Sequence, residues 1–216
     1  MNPSQNRPLI VSDCDEVLLF MVGPFRDWLD ETQGVNFTVG SNNFAEAMRW
    51  RDSGEPVGEK DIWRLLRAFF DTEMGRQTPI PGAVEALNTL SEHADIVILT
   101  NLTDNHREMR AQQLAAHGIE AKVYTNQGPK GPALAAIVDE HAPSEVYFID
   151  DLPQHHKSAR ETVPHVTTLH LCGEPELAPH IDCAHEAGHA DARLDSWAEA
   201  LPWLLERVVK NREAAA

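Results

Sequence analysis

The sequence predicts an α/β protein, a parallel sheet flanked by helices, interrupted after its first strand by a long insertion of helical character. Three observations carry this. Short apolar runs rich in β-branched residues recur at Leu9-Ile10-Val11, Ile96 to Leu99, Val146 to Ile149 and Val166 to Leu171, with stretches of helical period between the later ones. Three of these runs end in polar groups able to do chemistry: Asp13/Asp15, Thr100/Asn101 and Asp150/Asp151. The stretch 18–78 shows helical patterning and no strong strand.

Taken in order, Pro8 to Val11 is a buried strand that stops abruptly at Asp13-Cys14-Asp15-Glu16. Pro24 to Thr32 predicts a short helix ended near Gly34, and Phe44 to Trp50 a second, with Asn42-Asn43 as caps. Glu59 to Met74 predicts a longer one, because Ile62, Leu65, Leu66, Phe69 and Phe70 share a face while Lys60, Arg64, Arg67 and Asp71 lie elsewhere. Those aromatics, with Trp28, Trp50, Trp63 and Trp203, are expected to be packing surface. Pro79-Ile80-Pro81-Gly82 breaks the chain and opens a helix over Ala83 to Glu92. A strand over Asp95 to Leu99 and a helix over Asp104 to His117 follow, the helix stopped by Gly118. Lys122 to Tyr124 is a short strand, and the loop Asn126 to Pro132 starts another helix. Glu145 to Ile149 is a strand, His155 to Glu161 lies in a helix, and Val166 to Leu171 is the last strand. A His-rich loop leads to a C-terminal helix, Ser196 to Val209, with Trp197, Leu201, Leu204, Leu205 and Val208 on one face. Such alternation implies a Rossmann-like parallel sheet covered on both sides.

Composition narrows the partners. With 216 residues the chain suits one domain with an insertion, or two small ones, and 42% hydrophobic content supports a real core. Acids number 34 against 18 lysines and arginines, a net charge of −16. That field repels nucleic acid polymers and anionic membranes, so neither is expected as a partner. The N-terminus is polar and its apolar run stops at Asp13, which argues against a signal peptide, and no stretch is long enough to span a membrane. Cys14, Cys172 and Cys183 are too few for a disulfide framework, so a reduced cytoplasmic setting is expected. None begins the Cys-x5-Arg arrangement of thiol phosphatases. The chain is expected to be a monomer or homodimer.

The strand ends carry the chemistry. Residues spaced by two at a strand's carboxyl end can project together, and ligands of parallel sheets bind beyond those ends. Two carboxylates about 4 Å apart repel by ~1 kcal/mol in water and ~4 at an effective dielectric of about 20. Two such pairs, Asp13/Asp15 and Asp150/Asp151, converging on one crevice require a cation, and carboxylate oxygens favour Mg²⁺ over thiolate-seeking metals. The Thr100 hydroxyl, the Asn101 amide and the Lys130 ammonium would complete a receptor for phosphate.

These motifs resemble those of the haloacid dehalogenase superfamily of phosphohydrolases. Asp13-Cys14-Asp15-Glu16-Val17 is similar to its first motif, Asp-x-Asp-x-Val/Thr. Ile96 to Thr100, with Asn101 after it, is similar to the second, Lys130 ahead of a helix to the third, and Asp150-Asp151 to the fourth. Glu16 departs from the Gly or Thr often found there. The resemblance implies that Asp13 is the nucleophile, forming an aspartyl-phosphate, and that Asp15 protonates the leaving oxygen and later activates water. It implies that Thr100, Asn101 and Lys130 bind the phosphoryl group, and that Asp13, Asp15 (through its backbone carbonyl), Asp150 and Asp151 form the Mg²⁺ site. Residues 1–17 and 79–216 would form the core domain and 18–78 a small, mainly helical cap of the family's first subclass, which selects the substrate. Arg49, Arg51, Arg64 and Arg67 are candidates there to meet a second anionic group. The implied activity is Mg²⁺-dependent hydrolysis of a small phosphorylated metabolite, a nucleotide or sugar phosphate among the classes considered. The cap and its Pro-x-Pro-Gly exit are also similar to those of deoxyribonucleotide 5′-phosphatases, which names no substrate.

Other readings compete. His185-Glu186-Ala187-Gly188-His189 matches the H-E-x-x-H pattern of zinc hydrolases, with Asp195 placed as a third ligand. That chemistry needs both histidines on one helical turn, whereas Gly188 and the polar flanks predict a solvated loop; Cys183 and His180 nearby could scavenge a metal. A dehalogenase relative would lack the second acid and the metal pair. A non-catalytic phospho-ligand-binding relative would have lost a motif residue, and none is missing.

Overall fold

The computed structural model describes residues 7–40 and 47–214. The chain enters through β1 (Leu9–Ser12) and leaves it for the insertion: α1 (Val22–Trp28), a π-helical turn (Leu29–Gln33), β2 (Val35–Phe37), β3 (Met48–Trp50) and α2 (Glu59–Thr72). It returns through α3 (Ala83–Ser91), β4 (Asp95–Thr100), α4 (Arg107–Ala116), β5 (Lys122–Thr125), α5 (Gly131–His141), β6 (Val146–Asp150), α6 (Pro153–Thr162), β7 (Thr167–His170), β8 (Ala192–Arg193) and α7 (Trp197–Ala214). The main sheet has the order β5-β4-β1-β6-β7-β8, and every pairing in it is parallel. The expected fold class is therefore the observed one.

Strand periodicity explains how both faces are covered. Ile10, Ile98, Tyr147 and Ile149 face one layer with Leu87, Leu114, Trp197 and Leu204, while Leu9, Val11, Val97, Leu99, Val146 and Phe148 face Leu134, Ile137 and Ala159 on the other. Successive residues of one strand thus enter opposite cores, which is why these runs are apolar throughout rather than alternating. On α7, Trp197, Leu204 and Val208 are buried, and the Trp197 indole donates to the Val17 carbonyl at 2.7 Å. None of the described helices is long and apolar enough to cross a membrane.

The insertion packs around a cluster of its own, built from Phe25, Trp28, Leu29, Val35, Met48, Val57, Ile62, Leu65 and Phe69. Its entry and exit are tied to each other, Phe20 donating to the Thr78 carbonyl at 2.9 Å and Ile80 to that of Leu18 at 2.8 Å. Gly34, left-handed at φ 62°, ends the first helical segment where the sequence expects it.

Two expectations fail. The helix expected over Phe44 to Trp50 is not there for Met48–Trp50, which pair antiparallel with Val35–Phe37; the Asn42-Asn43 caps and the residues up to 46 lie outside the described residues. A strand of three residues takes its hydrogen bonds from a distant partner, so its own periodicity carries no signal. The sheet also holds a strand beyond Leu171, β8, formed by two residues aligned with Leu169 and His170.

Candidate functional site

In the β1 register Ser12 is level with Ile98 and Ile149, so one further residue places Asp13 level with Leu99 and Asp150. The chain visits β4 and β5 on one side of β1 and crosses to β6, β7 and β8 on the other. The crevice beyond β1 is therefore the topological switch point, where parallel sheets bind ligands.

Lys130 is drawn into this crevice by a close helix contact. A Cβ on Gly131 would meet the Ser158 carbonyl oxygen at 2.2 Å, so only glycine lets α5 approach α6 here. The buried Lys130 ammonium lies 2.7 Å from Asp13 Oδ1 and donates at 2.7 Å to Asp150 Oδ2. Asp13 also accepts the Cys14 amide at 2.7 Å, and Asp150 accepts that of Leu152 at 2.9 Å. One oxygen from each of Asp13, Asp150 and Asp151 lies within 4.8 Å of the others, and all three residues are buried.

One ammonium against three carboxylates leaves a surplus of buried negative charge. Burial pushes Asp13 up to about 7 against the pull of Lys130. Burial, then the neighbouring Asp150 and Asp13, raise Asp151 well above the usual carboxylate range. For Asp150 the upward push of burial is outweighed by Lys130 and then by His155 and His156, so its carboxyl sits below its ordinary value. Burial also favours neutral Lys130, but Asp13 and Asp150 hold it charged, above its ordinary value. A divalent cation would relieve this surplus, and a set of hard oxygen donors fits Mg²⁺.

The backbone of the acid pair is held from behind. His170 Nδ1 accepts the Ala184 amide at 3.0 Å, so its proton is on Nε2, which donates to the Asp151 carbonyl at 2.7 Å. His156 Nε2 meets the Asp150 carbonyl at 2.9 Å, and the two imidazoles are 5.2 Å apart. Thr100 is fully buried, and its hydroxyl has no protein partner. Asn101 lines a cavity together with Asp13, Lys130 and Asp151 but is committed to the loop, its amide donating to the Gly128 carbonyl at 3.1 Å and its oxygen accepting from Asn126 at 2.9 Å.

Asp15 lines the same cavity beside the acid cluster but stands outside the group of three. Its carboxylate receives the Arg110 guanidinium at 2.9 and 3.1 Å and the Gln77 amide at 2.6 Å, so its side chain is no part of the group of three acids. Arg110 is fully buried on α4 and also donates to Cys14 Sγ at 3.2 Å. Sequence reasoning missed Arg110, although a signal existed: His106, Arg110 and Leu114 recur every four residues, and all three are buried. Gln77, in the exit from the insertion, offered no such signal.

Glu16 was also missed. It takes a left-handed φ of 60°, and one carboxyl oxygen accepts the amides of Met21 and Val22 that open α1. The other oxygen is buried without a partner. Burial, opposed by those two amides, pushes this carboxyl up from 4.5 to about 8. A raised carboxyl contributes stability that is complete below pH 4.5 and is lost as pH rises through about 8, because the unfolded chain gives up the proton first. The amount is on the order of 5 kcal/mol. Glu16→Gln is accordingly expected to flatten the fall in melting temperature over this range, measured by thermal melts in EDTA. A pH profile unchanged from wild type would remove Glu16 as its source.

The H-E-x-x-H segment does not make a zinc site. Residues 184–188 run as turns and His189 as a bend, with Gly188 at φ 74°, which rules out the helical turn that would pair His185 with His189. His185 Nδ1 meets the Ala190 carbonyl at 2.9 Å, and Asp195 is held by Arg193 at 3.0 Å. Among the described residues, Asp13, Asp150 and Asp151 are the one group of three or more candidate ligands, so His180 and Cys183 gather none. The arginines proposed to meet a second anion are occupied elsewhere: Arg49 on the Gly54 carbonyl, Arg51 on Asp30 and Arg64 on Asp61. Arg67 lines a neighbouring cleft with His106 and Gln127.

No family model matches the chain, and no curated protein sequence does. Solved structures do. A haloacid dehalogenase-like protein from Agrobacterium tumefaciens superposes with a TM-score of 0.65 at 18% identity, over 93% of this chain and 98% of that one. A HAD family hydrolase from Deinococcus radiodurans, with bound phosphate and sodium, gives 0.63 at 19% identity over 94% and 96%. A haloacid dehalogenase-like hydrolase from Streptococcus pneumoniae gives 0.61 at 16% identity over 93% and 99%. Near-complete coverage of both chains, insertion included, identifies the architecture: this chain has the haloacid dehalogenase-like fold.

Proposed function

We propose that the protein is a Mg²⁺-dependent phosphatase that hydrolyses a small phosphate monoester through an aspartyl-phosphate on Asp13. The observation that supports this is the grouping of Asp13 with Asp150 and Asp151 around the Lys130 ammonium that Asp13 and Asp150 share, with the unpartnered Thr100 hydroxyl at the adjacent strand end. Asp13, Asp150 and Asp151 would hold the ion by their side chains and Asp15 by its backbone carbonyl. Bound there, Mg²⁺ neutralises the acids and the phosphoryl oxygens as charge develops. Lys130 restrains the attacking carboxylate and, with Thr100 and Asn101, orients the phosphoryl group. Asp15, aimed by Arg110 and Gln77, gives a proton to the leaving oxygen and then takes one from the attacking water. Residues 18–78 act as the cap over the site. Three free thiols, two of them buried, agree with a reducing, cytoplasmic setting.

Metal removal tests the reading. In EDTA, p-nitrophenyl phosphate hydrolysis is expected to fall to background and to return with Mg²⁺. An independent readout is stability, since saturation at 100 times the dissociation constant stabilises the fold by about 2.7 kcal/mol. Full rates in rigorously metal-free protein would sink the proposed site.

A further inference from the structure

Between the acid cluster and the insertion lies a cavity of about 340 Å³. Its reacting end carries Asp13, Asp15, Lys130 and Asp151. Glu16, Asn101 and His155 add polar groups, and the remainder of its wall is apolar, with Met21, Val22, Ile62, Leu66, Phe70 and Ile181 among its residues. Trp63, the exposed indole of α2, stands at its edge and is shared with the neighbouring cleft. Charge on the wall is equally one-sided. Among the described residues that line it, Lys130 is the sole lysine or arginine, and Asp13 and Asp150 already occupy that ammonium. Among the fully buried polar side-chain atoms of lining residues, Oε2 of Glu16 and Nδ1 of His155 lack a protein partner. The side chains of Met21, Val22, Ile62, Leu66, Phe70 and Ile181 offer no hydrogen-bond partner to the ring of hydroxyls on a sugar.

We infer that the substrate of this site is a phosphate monoester whose organic body is small, uncharged and apolar. The inference rests on the phosphatase reading and narrows it. Polyhydroxyl bodies would leave several buried hydroxyls unpaired against Met21, Ile62, Leu66 and Phe70, and each such mismatch is costly. Inside this cavity a second anionic group would meet Glu16, Asp15 and Asp151, and the described lining residues hold no second lysine or arginine to receive it. An apolar cavity of roughly 150 Å³ suffices for benzene, so this one has room for a phosphoryl group and a single ring, consistent with small pockets of this kind. Trp63 would cover the outer face of that ring.

The test compares three primary alkyl esters, so that leaving groups are alike: cyclohexylmethyl phosphate, glucose 6-phosphate and phosphoserine, each with Mg²⁺ and with p-nitrophenyl phosphate as the generic control. The cyclohexylmethyl ester is expected to exceed both others in kcat/KM by more than about tenfold, the scale of apolar discrimination in enzyme pockets. Leu66→Asn and Trp63→Ala are expected to shrink that ratio; Trp63 is 64% exposed, so its removal does not threaten the fold. Independently of turnover, cyclohexylmethyl phosphonate is expected to shift Trp63 emission to the blue, a change missing from Trp63→Phe. Equal or better turnover of glucose 6-phosphate or phosphoserine overturns the substrate class and leaves the phosphatase reading standing. Loss of every activity, p-nitrophenyl phosphate included, removes that reading and this inference with it.

Discussion

Replacing Asp13 by Asn is expected to cut turnover by at least about 10⁴-fold without lowering stability. The amide oxygen can still accept from Cys14 and Lys130 as the carboxylate does, while one of three crowded acids is removed, so the melting temperature should hold or rise. What disappears is the nucleophile. Asp15→Asn separates the second role, because it keeps the nucleophile and loses the proton donor. Alkyl esters are then expected to slow by about 10²–10⁴-fold, whereas p-nitrophenol leaves readily without a proton. Rapid-quench kinetics would record a burst of p-nitrophenol followed by slow turnover, since water attack on the intermediate still lacks its base. A normal burst from Asp13→Asn, or equal losses on both esters for Asp15→Asn, would mean that these carboxylates have other roles.

Lys130→Met is expected to damage stability most. Its ammonium is fully buried and is shared between Asp13 and Asp150, so removing it leaves Asp150 in the interior without its counter-charge. Breaking a buried pair in this way costs about 3–5 kcal/mol. For a chain of this size that corresponds to a melting temperature lower by roughly 10 °C. The loss should be largest in EDTA and smaller in Mg²⁺, because the ion supplies positive charge to the same oxygens. Thermal melts under both conditions measure it. An unchanged melting temperature in EDTA would show that the ammonium does not balance the acids. A loss that Mg²⁺ leaves undiminished would argue that the three carboxylates do not hold the ion.

What the sequence by itself determined is the sheet and the residues at its edge. β1, β4 and β6 are continuous apolar runs because both of their faces are buried, a signal that lies within each strand, and the polar residues ending each run mark the carboxyl edge. Since that edge is where parallel sheets bind, Asp13, Thr100, Lys130, Asp150 and Asp151 could be named before their distances were known. Only the tertiary structure decided which of these groups meet. Asp15, two residues from Asp13, turns to Arg110 and Gln77, partners 95 and 62 positions away along the chain. The Val35–Phe37 and Met48–Trp50 pair and the two-residue β8 draw their hydrogen bonds from other segments, so no local pattern announces them. The H-E-x-x-H match failed for the same reason in reverse, a local pattern with no helix beneath it. The cavity wall is the clearest case. Leu66 and Phe70, half-buried on the cavity wall, share the apolar face of α2 with Leu65 and Phe69, which are buried in the insertion's own core, and Ile62 belongs to both. The spacing that marks such a stripe is identical whether its residues pack against protein or are left to meet a ligand, and which of them do so depends on how wide the stripe is and what lies opposite.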